Sequence, residues 1–268
     1  MQKVGPWVPI GLVFGLAPLV IALSLFTPET LSLNIGRNTD HGARVSLEEH
    51  LQKAWQDLFL SISLLKNSNI ALSLVAFIIH PVLFAASSST LSQYASKYFG
   101  WSLAETSYLL SPLGVLQLCV LLIVPKLAKT LTNKSGRFRL SEFSKDLFLL
   151  RLSLVLIIIG SVIEGMSHSI GFFFLGLTVT SLGSPNGPLS RAVVTAYVEP
   201  QQTSRLYALT SMLETGGSML GGPVLAWCFS LGMSKRGIWA GIPWFYVAGL
   251  ASFVLVSLMG LHPPSSRD

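Results

Sequence analysis

Charged residues are scarce in this sequence. Asp, Glu, Lys and Arg together make up 11% of the 268 residues, whereas hydrophobic residues make up 51%. A soluble domain usually carries about a quarter charged residues. The shortage of charge therefore excludes an ordinary soluble domain and favours an integral membrane protein.

Cysteine and catalytic motifs are also scarce. The two cysteines, Cys119 and Cys228, lie inside apolar runs, which indicates small buried hydrophobic residues and no disulfide framework. No nucleophile stands beside a base, and the sequence has no paired carboxylates at catalytic spacing, no phosphate-binding loop and no cluster of metal ligands. The sequence predicts a protein that is not an enzyme and that has no cofactor or metal.

Long apolar runs are abundant. A membrane-spanning helix needs about 20 mostly apolar residues. Seven runs meet this requirement approximately: 7–26, 70–91, 106–125, 147–166, 170–196, 206–231 and 238–261. They predict an all-α, polytopic membrane bundle with about seven transmembrane helices.

The positions of Lys and Arg predict the orientation of these helices. Twelve of them fall on the side of loops 27–69 and 126–146 and four on the opposite side, and Arg151 and Arg191 lie within helices. Because the richer side is cytoplasmic, we expect the N-terminus outside and the C-terminus inside. The net charge of +6 thus indicates membrane orientation and not nucleic-acid binding, and we favour the plasma membrane over a vacuolar or other organelle membrane.

The long loop after the first run contains a helical pattern. Apolar residues recur at steps of three and four, which predicts an amphipathic helix over 47–65 at the membrane surface or the bundle base. Ser46 and Glu49 precede it as a capping box.

Arg191 and Glu214 are opposite charges in adjoining apolar runs. If the chain turns near 200–203, they lie roughly 15 and 18 Å from the turn along two antiparallel helices. An intramembrane charge usually has a partner. We interpret the two as a gating or structural charge pair, with direct substrate contact by Arg191 as the alternative.

Two other polar residues are candidates for a substrate or proton pathway, together with Arg191. His80 lies in the middle of its run, where it can carry a coupling proton or form a hydrogen bond between helices. Gln93 follows a Ser- and Thr-rich stretch, 87–90, that either lines a cavity or bonds back to its own helix carbonyls.

The remaining polar, small and aromatic residues have structural interpretations. Glu164 is expected to be an interfacial carboxylate that faces water, and Glu105 to cap the third run. Gly217 and Gly221 form a GxxxG spacing that lets two helices pack closely. An outer aromatic belt is predicted from Trp239, Trp244 and Tyr246.

Three stretches have an order and spacing typical of a known family. They are FTPETL (26–31), SQYASKYFGWSLAETSYLL (92–110) and GSPNGPLSRAVVTAYVEPQQTSRLYALTSMLETGGSMLGGP (183–223). In turn they resemble the end of helix six, the junction of helices seven and eight, and helices ten and eleven of fungal major facilitator transporters. The resemblance covers nearly the whole chain, but only from helix six onward.

The resemblance implies the C-terminal half of a transporter. It divides the chain into a helix-six equivalent, a cytoplasmic connector, a six-helix bundle and a cytoplasmic tail, at 1–31, 32–69, 70–262 and 263–268. It implies transport of a small organic solute, as a proton-coupled carrier or an exporter, and a role in transport for Arg191.

One half alone cannot form a site around which two halves rock. Either a separate half-transporter or a second copy of the chain supplies the other half, or the chain is a truncated product that does not transport. A seven-helix membrane receptor is the alternative function, because seven spans with the N-terminus outside are also its topology.

Overall fold

The computed structural model describes residues 64–132, 141–235 and 237–263, together with Gly15 and Pro18, which are helical. By its internal contacts the chain divides into two units, Met1–His50 and Leu51–Asp268. The helices described below belong to the second unit. Except for Gly15 and Pro18, the predicted span 7–26 lies outside the described residues, and so does nearly all of the predicted amphipathic helix.

The described part of the second unit is helical, with no strand among its residues. Its helices are α1 (Ser68–Phe99), α2 (Leu103–Thr132), α3 (Glu142–Met166), α4 (Ile170–Leu182), α5 (Asn186–Thr195), α6 (Thr203–Lys235) and α7 (Ile242–Met259). The prediction of an all-α membrane bundle is confirmed for these residues.

Within the described ranges, four helical segments are long and apolar enough to cross a membrane: Ser68–Phe99, Ala104–Lys129, Glu142–Met166 and Gly237–Met259. The predicted runs 170–196 and 206–231 are not among them. The first is divided between α4 and α5, and the second lies in α6, where Gly, Ser and Thr are frequent. These two predicted spans therefore do not meet the requirement of an unbroken, strongly apolar helix.

Helix α1 contains two irregular turns around His80. A 3₁₀ turn covers Val75–Ile78 and a π turn covers Ala86–Thr90. Pro81 has no N–H to donate within the helix, which accounts for a distortion in the turn before it. Ser87 and Ser89 donate hydrogen bonds to carbonyl oxygens of their own helix, and Ser87 also lines a cavity, so both outcomes expected for this stretch occur.

Serine side chains cap the next helices. The Ser102 N–H donates to Glu105 Oε2 at 2.7 Å, and the Glu105 N–H donates to Ser102 Oγ at 3.3 Å. This reciprocal pair is a capping box, so the prediction that Glu105 caps its helix is confirmed. Ser141 and Ser169 accept backbone N–H bonds at the starts of α3 and α4 in the same way.

The break between α4 and α5 lies at residues 183–185, against α3. Pro185 and Pro188 lack the N–H that a continuous helix would need. A Cβ added to Gly183 would lie 2.5 Å from Ile157 Cγ1 and 2.7 Å from the Ser153 carbonyl oxygen. The small residue therefore lets the backbone pass close to α3 at the point where the helix is interrupted.

Two expectations about burial are wrong. Trp244 is only 2% exposed, with its ring 5.6 Å from Tyr94 and 5.4 Å from Phe173, because α7 packs into the core at this position. It is a core residue and not part of a membrane-surface belt. Cys119 is exposed on α2, whereas Cys228 is buried as expected.

Candidate functional site

Three ionisable side chains meet where α1, α5 and α6 approach one another. Glu214 Oε1 lies 3.2 Å from His80 Nδ1 and 3.5 Å from Arg191 Nη2. The three residues form the His80–Glu214–Arg191 cluster. The structure thus brings Arg191 next to Glu214, and it adds His80, which the sequence did not connect with either of them.

The two contacts of Glu214 differ in their exposure to solvent. The His80 side chain is 15% exposed, Glu214 is 29% exposed and Arg191 is 55% exposed. Solvent screens the Arg191 contact more strongly, because interactions between exposed charges are weak in water. The contact between imidazole and carboxylate is therefore the more protected half of the cluster.

The hydrogen-bonding roles follow from the chemistry of the carboxylate. An ionised Glu can only accept, so His80 Nδ1 must carry the hydrogen in this contact. Nε2, the other ring nitrogen, is buried and forms no hydrogen bond of normal geometry with the described residues, although the Asn186 side chain interacts with the same ring. That nitrogen is a position where His80 can gain or lose a proton without giving up its bond to Glu214.

Close packing of α6 on α1 positions the carboxylate. A Cβ added to Gly217 would lie 3.0 Å from Pro81 Cγ and 3.1 Å from the Ile78 carbonyl oxygen, and one added to Gly221 would overlap Val82 Cγ2. Glu214 lies one turn before Gly217 on the same helix. The small residues therefore let the α6 backbone come close enough for Glu214 to reach His80.

A cavity of about 250 Å³ adjoins the cluster. His80 is part of its lining, and α2 and α5 add two amide side chains, Gln117 and Asn186. Leu83, Phe84 and Ile157 form apolar parts of the wall. This mixture of aliphatic, aromatic and hydrogen-bonding groups is typical of sites for small organic molecules.

Gln117 and Asn186 were missed in the sequence. Both lie within predicted spans, where an uncharged amide indicates a functional site less clearly than a charged side chain does. Asn186 is buried at the start of α5, where Ser190 Oγ donates to its carbonyl oxygen at 2.8 Å. The helix break before it brings this amide to the cavity wall.

Gln93 lies apart from this site. It is exposed on α1, thirteen residues beyond His80, which corresponds to roughly 20 Å along a helix. It is absent from the cavity lining formed by the described residues. The structure therefore does not bring Gln93 together with His80 and Arg191.

The expectation for Glu164 is wrong. This residue is 1% exposed, and its Oε1 accepts a hydrogen bond from Thr180 Oγ1 at 2.6 Å. Helix α4 covers the carboxyl, because Gly176 leaves room for Glu164 Cγ where a Cβ would approach it to 2.7 Å. The position of Glu164 near the end of an apolar run predicted exposure to water, whereas the packing of α4 on α3 buries the side chain.

Comparison with known proteins shows that the sequence is similar to proteins named as membrane transporters. No protein-family model matches the chain. It is 28% identical to the MFS efflux pump atnC of Emericella nidulans over 98% of its length, and 27% identical to the MFS-type transporter aprT of Aspergillus flavus over 75%. It is 28% identical to the efflux pump ustT of Aspergillus flavus over 72%. This chain is similar in sequence to fungal major facilitator transporters.

The resemblance to the major facilitator superfamily, expected from three sequence stretches, is thereby confirmed. The chain spans about half the length of the first relative, 51%, and 39% and 38% of the other two. All three relatives are named as transporters or efflux pumps, which are not enzymes. The comparisons give no support to the receptor alternative.

Proposed function

We propose that this chain takes part in moving a small organic solute across a membrane, as a component of a proton-coupled secondary transporter. The observation that carries the proposal is the shared position of His80, which belongs both to the cavity wall and to the cluster with Glu214 and Arg191. A change of charge on one side chain can therefore act on the solute cavity and on the contact between helices. Because the relatives are named efflux pumps, export is the proposed direction.

The coupling step uses Nε2 of His80, the ring nitrogen that does not contact Glu214. A proton from water in the cavity binds Nε2, while the Nδ1 hydrogen stays bonded to Glu214. The resulting imidazolium attracts Glu214 more strongly, so the carboxylate holds Arg191 less tightly. When His80 loses that proton, Glu214 again binds Arg191 more tightly. Protonation thereby adjusts the contact between α5 and α6 beside the cavity.

A vesicle experiment tests this function. The full chain is reconstituted in liposomes with an imposed pH gradient, and the movement of a panel of amphipathic aromatic dyes is followed by fluorescence. We expect flux above that of empty liposomes, dependent on the gradient and strongly reduced in His80→Gln and Glu214→Gln. Glu105→Gln is the matched control, since this carboxylate is exposed and caps α2. Flux no greater than in empty liposomes would contradict transport by this chain alone.

We further propose that a second helical bundle completes the transport site, because alternating access requires two bundles around one site. Helix α2 supports this proposal, since it carries exposed apolar side chains such as Leu118 and Leu122 and also contributes Gln117 to the cavity. Another copy of the chain or a separate half-transporter can supply that bundle.

Crosslinking in membranes distinguishes these partners. A Leu118→Cys variant, with Cys119 and Cys228 replaced by Ala, is treated with a bifunctional maleimide. A product of twice the chain mass supports a homodimer, and a product of another mass supports a separate partner. Absence of any crosslinked product would contradict a bundle packed against this face of α2.

A further inference from the structure

Glu164 lies behind the cavity wall and outside the His80–Glu214–Arg191 cluster. Its carboxyl is buried between α3 and α4 and accepts a hydrogen bond from Thr180 Oγ1 at 2.6 Å. Thr180 also lines the cavity. A single hydroxyl group therefore connects the cavity with a carboxyl group that has almost no exposure of its own.

Glycines bring the two helix backbones together on both sides of this carboxyl. A Cβ added to Gly176 would lie 2.7 Å from Glu164 Cγ, and one added to Gly160 would overlap Thr180 Oγ1. The backbone of α4 thus lies directly against the Glu164 side chain. The hydroxyl of Thr180 is the polar group that this packing presents to it.

No cation neutralises Glu164 within the described ranges. On α4 its neighbour is the Thr180 hydroxyl, and on α1 it interacts electrostatically with Tyr94, which is uncharged when protonated. The turn before α7 approaches α3 through backbone, Gly241 against Gly165. His80 and Arg191 contact Glu214, and Lys145 contacts Asp146.

Burial of an ionised carboxylate without a cation costs far more free energy than burial of a hydrogen-bonded neutral acid. The neutral acid keeps its hydrogen bond with Thr180: Oε1 accepts from the hydroxyl when the acid proton is on Oε2, and donates to it when the proton is on Oε1. We propose that Glu164 is a proton-binding site, separate from the His80–Glu214–Arg191 cluster, that exchanges its proton with the cavity through the Thr180 hydroxyl. The proposal does not depend on whether the chain transports a solute.

The exchange conserves the number of O–H bonds. A hydronium ion in the cavity gives a proton to Thr180 Oγ1 and becomes water, while the proton already on that oxygen passes to Glu164 Oε1. One O–H bond forms on the carboxylate as one breaks on Thr180, and the threonine remains a neutral hydroxyl. The reverse sequence returns the proton to the cavity.

Infrared spectroscopy of the full chain in phosphatidylcholine vesicles at neutral pH tests the proton site. A protonated carboxyl has a C=O absorption that an ionised carboxylate lacks. We expect this band in the natural protein, its loss in Glu164→Gln, and its retention in the control Glu105→Gln. In Thr180→Val the band should remain but move to higher wavenumber, because its hydrogen bond is lost. Absence of the band from the natural protein, or its persistence in Glu164→Gln, would overturn the proposal.

Transfer of the same vesicles into D₂O tests the route. Replacement of the carboxyl proton by deuterium shifts the band, and the time course of the shift measures access to the cavity. We expect slower exchange in Thr180→Val and a rate close to the natural one in Thr180→Ser, which keeps the hydroxyl. Equal rates in Thr180→Val and the natural protein would rule out the threonine route. Thr180→Val retains Glu164, so its carboxyl band can be measured even if Glu164→Gln does not fold.

Discussion

At the residue scale, one carboxylate oxygen serves two partners. Glu214 Oε1 is closer to His80 than to Arg191, and the Arg191 side chain is more than half exposed. Exposed ion pairs contribute about 0.2–1 kcal/mol to stability. Removal of Glu214, in contrast, also leaves a largely buried imidazole without its partner. Glu214 is therefore expected to contribute more to the stability of the protein than Arg191.

Charge reversal tests whether Arg191 and Glu214 pair. Arg191→Glu places two carboxylates side by side, and Glu214→Arg places two cations beside His80, so both should lower the midpoint of thermal unfolding in detergent. The double reversal restores an Arg–Glu pair but leaves an arginine facing His80. We expect its midpoint to lie between the natural value and those of the single variants. A double variant no better than the single ones would show that the two residues do not pair, and Lys66→Glu serves as an exposed control.

Tyr197, in the loop after α5, provides a pH-dependent contact. Its hydroxyl donates to the His262 carbonyl oxygen at 2.5 Å, and burial raises the pKa of Tyr197 from 10.0 to about 12. Because the pKa is higher in the folded state, this contribution to stability is complete below pH 10 and is lost as the pH rises through about 12.

The measurement compares thermal unfolding of the natural chain and Tyr197→Phe across that pH interval. The natural chain should lose stability more steeply, because the Phe variant has no hydroxyl to ionise. Tyr207→Phe, at an exposed position on α6, should behave like the natural chain. Parallel curves for all three proteins would contradict the assignment.

At the element scale, the packing of α6 on α1 determines whether the cluster can form. Gly217 and Gly221 lie on the α1 side, whereas Cβ atoms added to Gly216 and Gly222 would have no neighbour within 4 Å. Gly217 and Gly221 therefore lie on the face of α6 that contacts α1, and Gly216 and Gly222 lie on an open face. The predicted packing role of Gly217 and Gly221 can be tested with these neighbours as controls.

Gly221→Ala should destabilise the protein by roughly 1–3 kcal/mol, because the added methyl overlaps Val82 and the core must shift. Gly222→Ala should be neutral or stabilising by up to about 1 kcal/mol, because Ala favours a helix. Unfolding in mixed micelles with increasing sodium dodecyl sulfate measures both variants. Equal stability of the two would argue against close packing of α6 on α1. Gly221→Ala should also weaken the flux assigned to the His80–Glu214–Arg191 cluster, since it displaces Glu214.

At the scale of the whole molecule, the sequence predicts that the connections between helices alternate between two sides of the membrane. On this prediction the α3–α4 turn lies on the side with few basic residues, and the α5–α6 connection lies on the basic side. Lys and Arg favour the cytoplasmic side of a membrane. We therefore propose that the α3–α4 turn is outside the cell and the α5–α6 connection inside.

Cysteine labelling in intact cells tests this orientation. In a chain with Cys119 and Cys228 replaced by Ala, His168→Cys should react with an impermeant maleimide added outside. Gln201→Cys, also at an exposed position, should react only after permeabilisation. The opposite pattern would invert the proposed topology. If neither cysteine reacts in intact cells, a plasma-membrane location is contradicted.

The sequence by itself determined the class of protein and most of its local structure. Scarce charge and long apolar runs indicate a helical membrane protein, and the Ser102–Glu105 cap is readable because both partners lie within one turn. Only the tertiary structure decided that His80 meets Glu214, 134 residues away, that Glu164 is buried beneath α4, and that Trp244 belongs to the core. Hydropathy and capping depend on neighbouring residues, whereas the face that a helix turns inward depends on its packing against distant segments, here through Gly160, Gly176, Gly217 and Gly221.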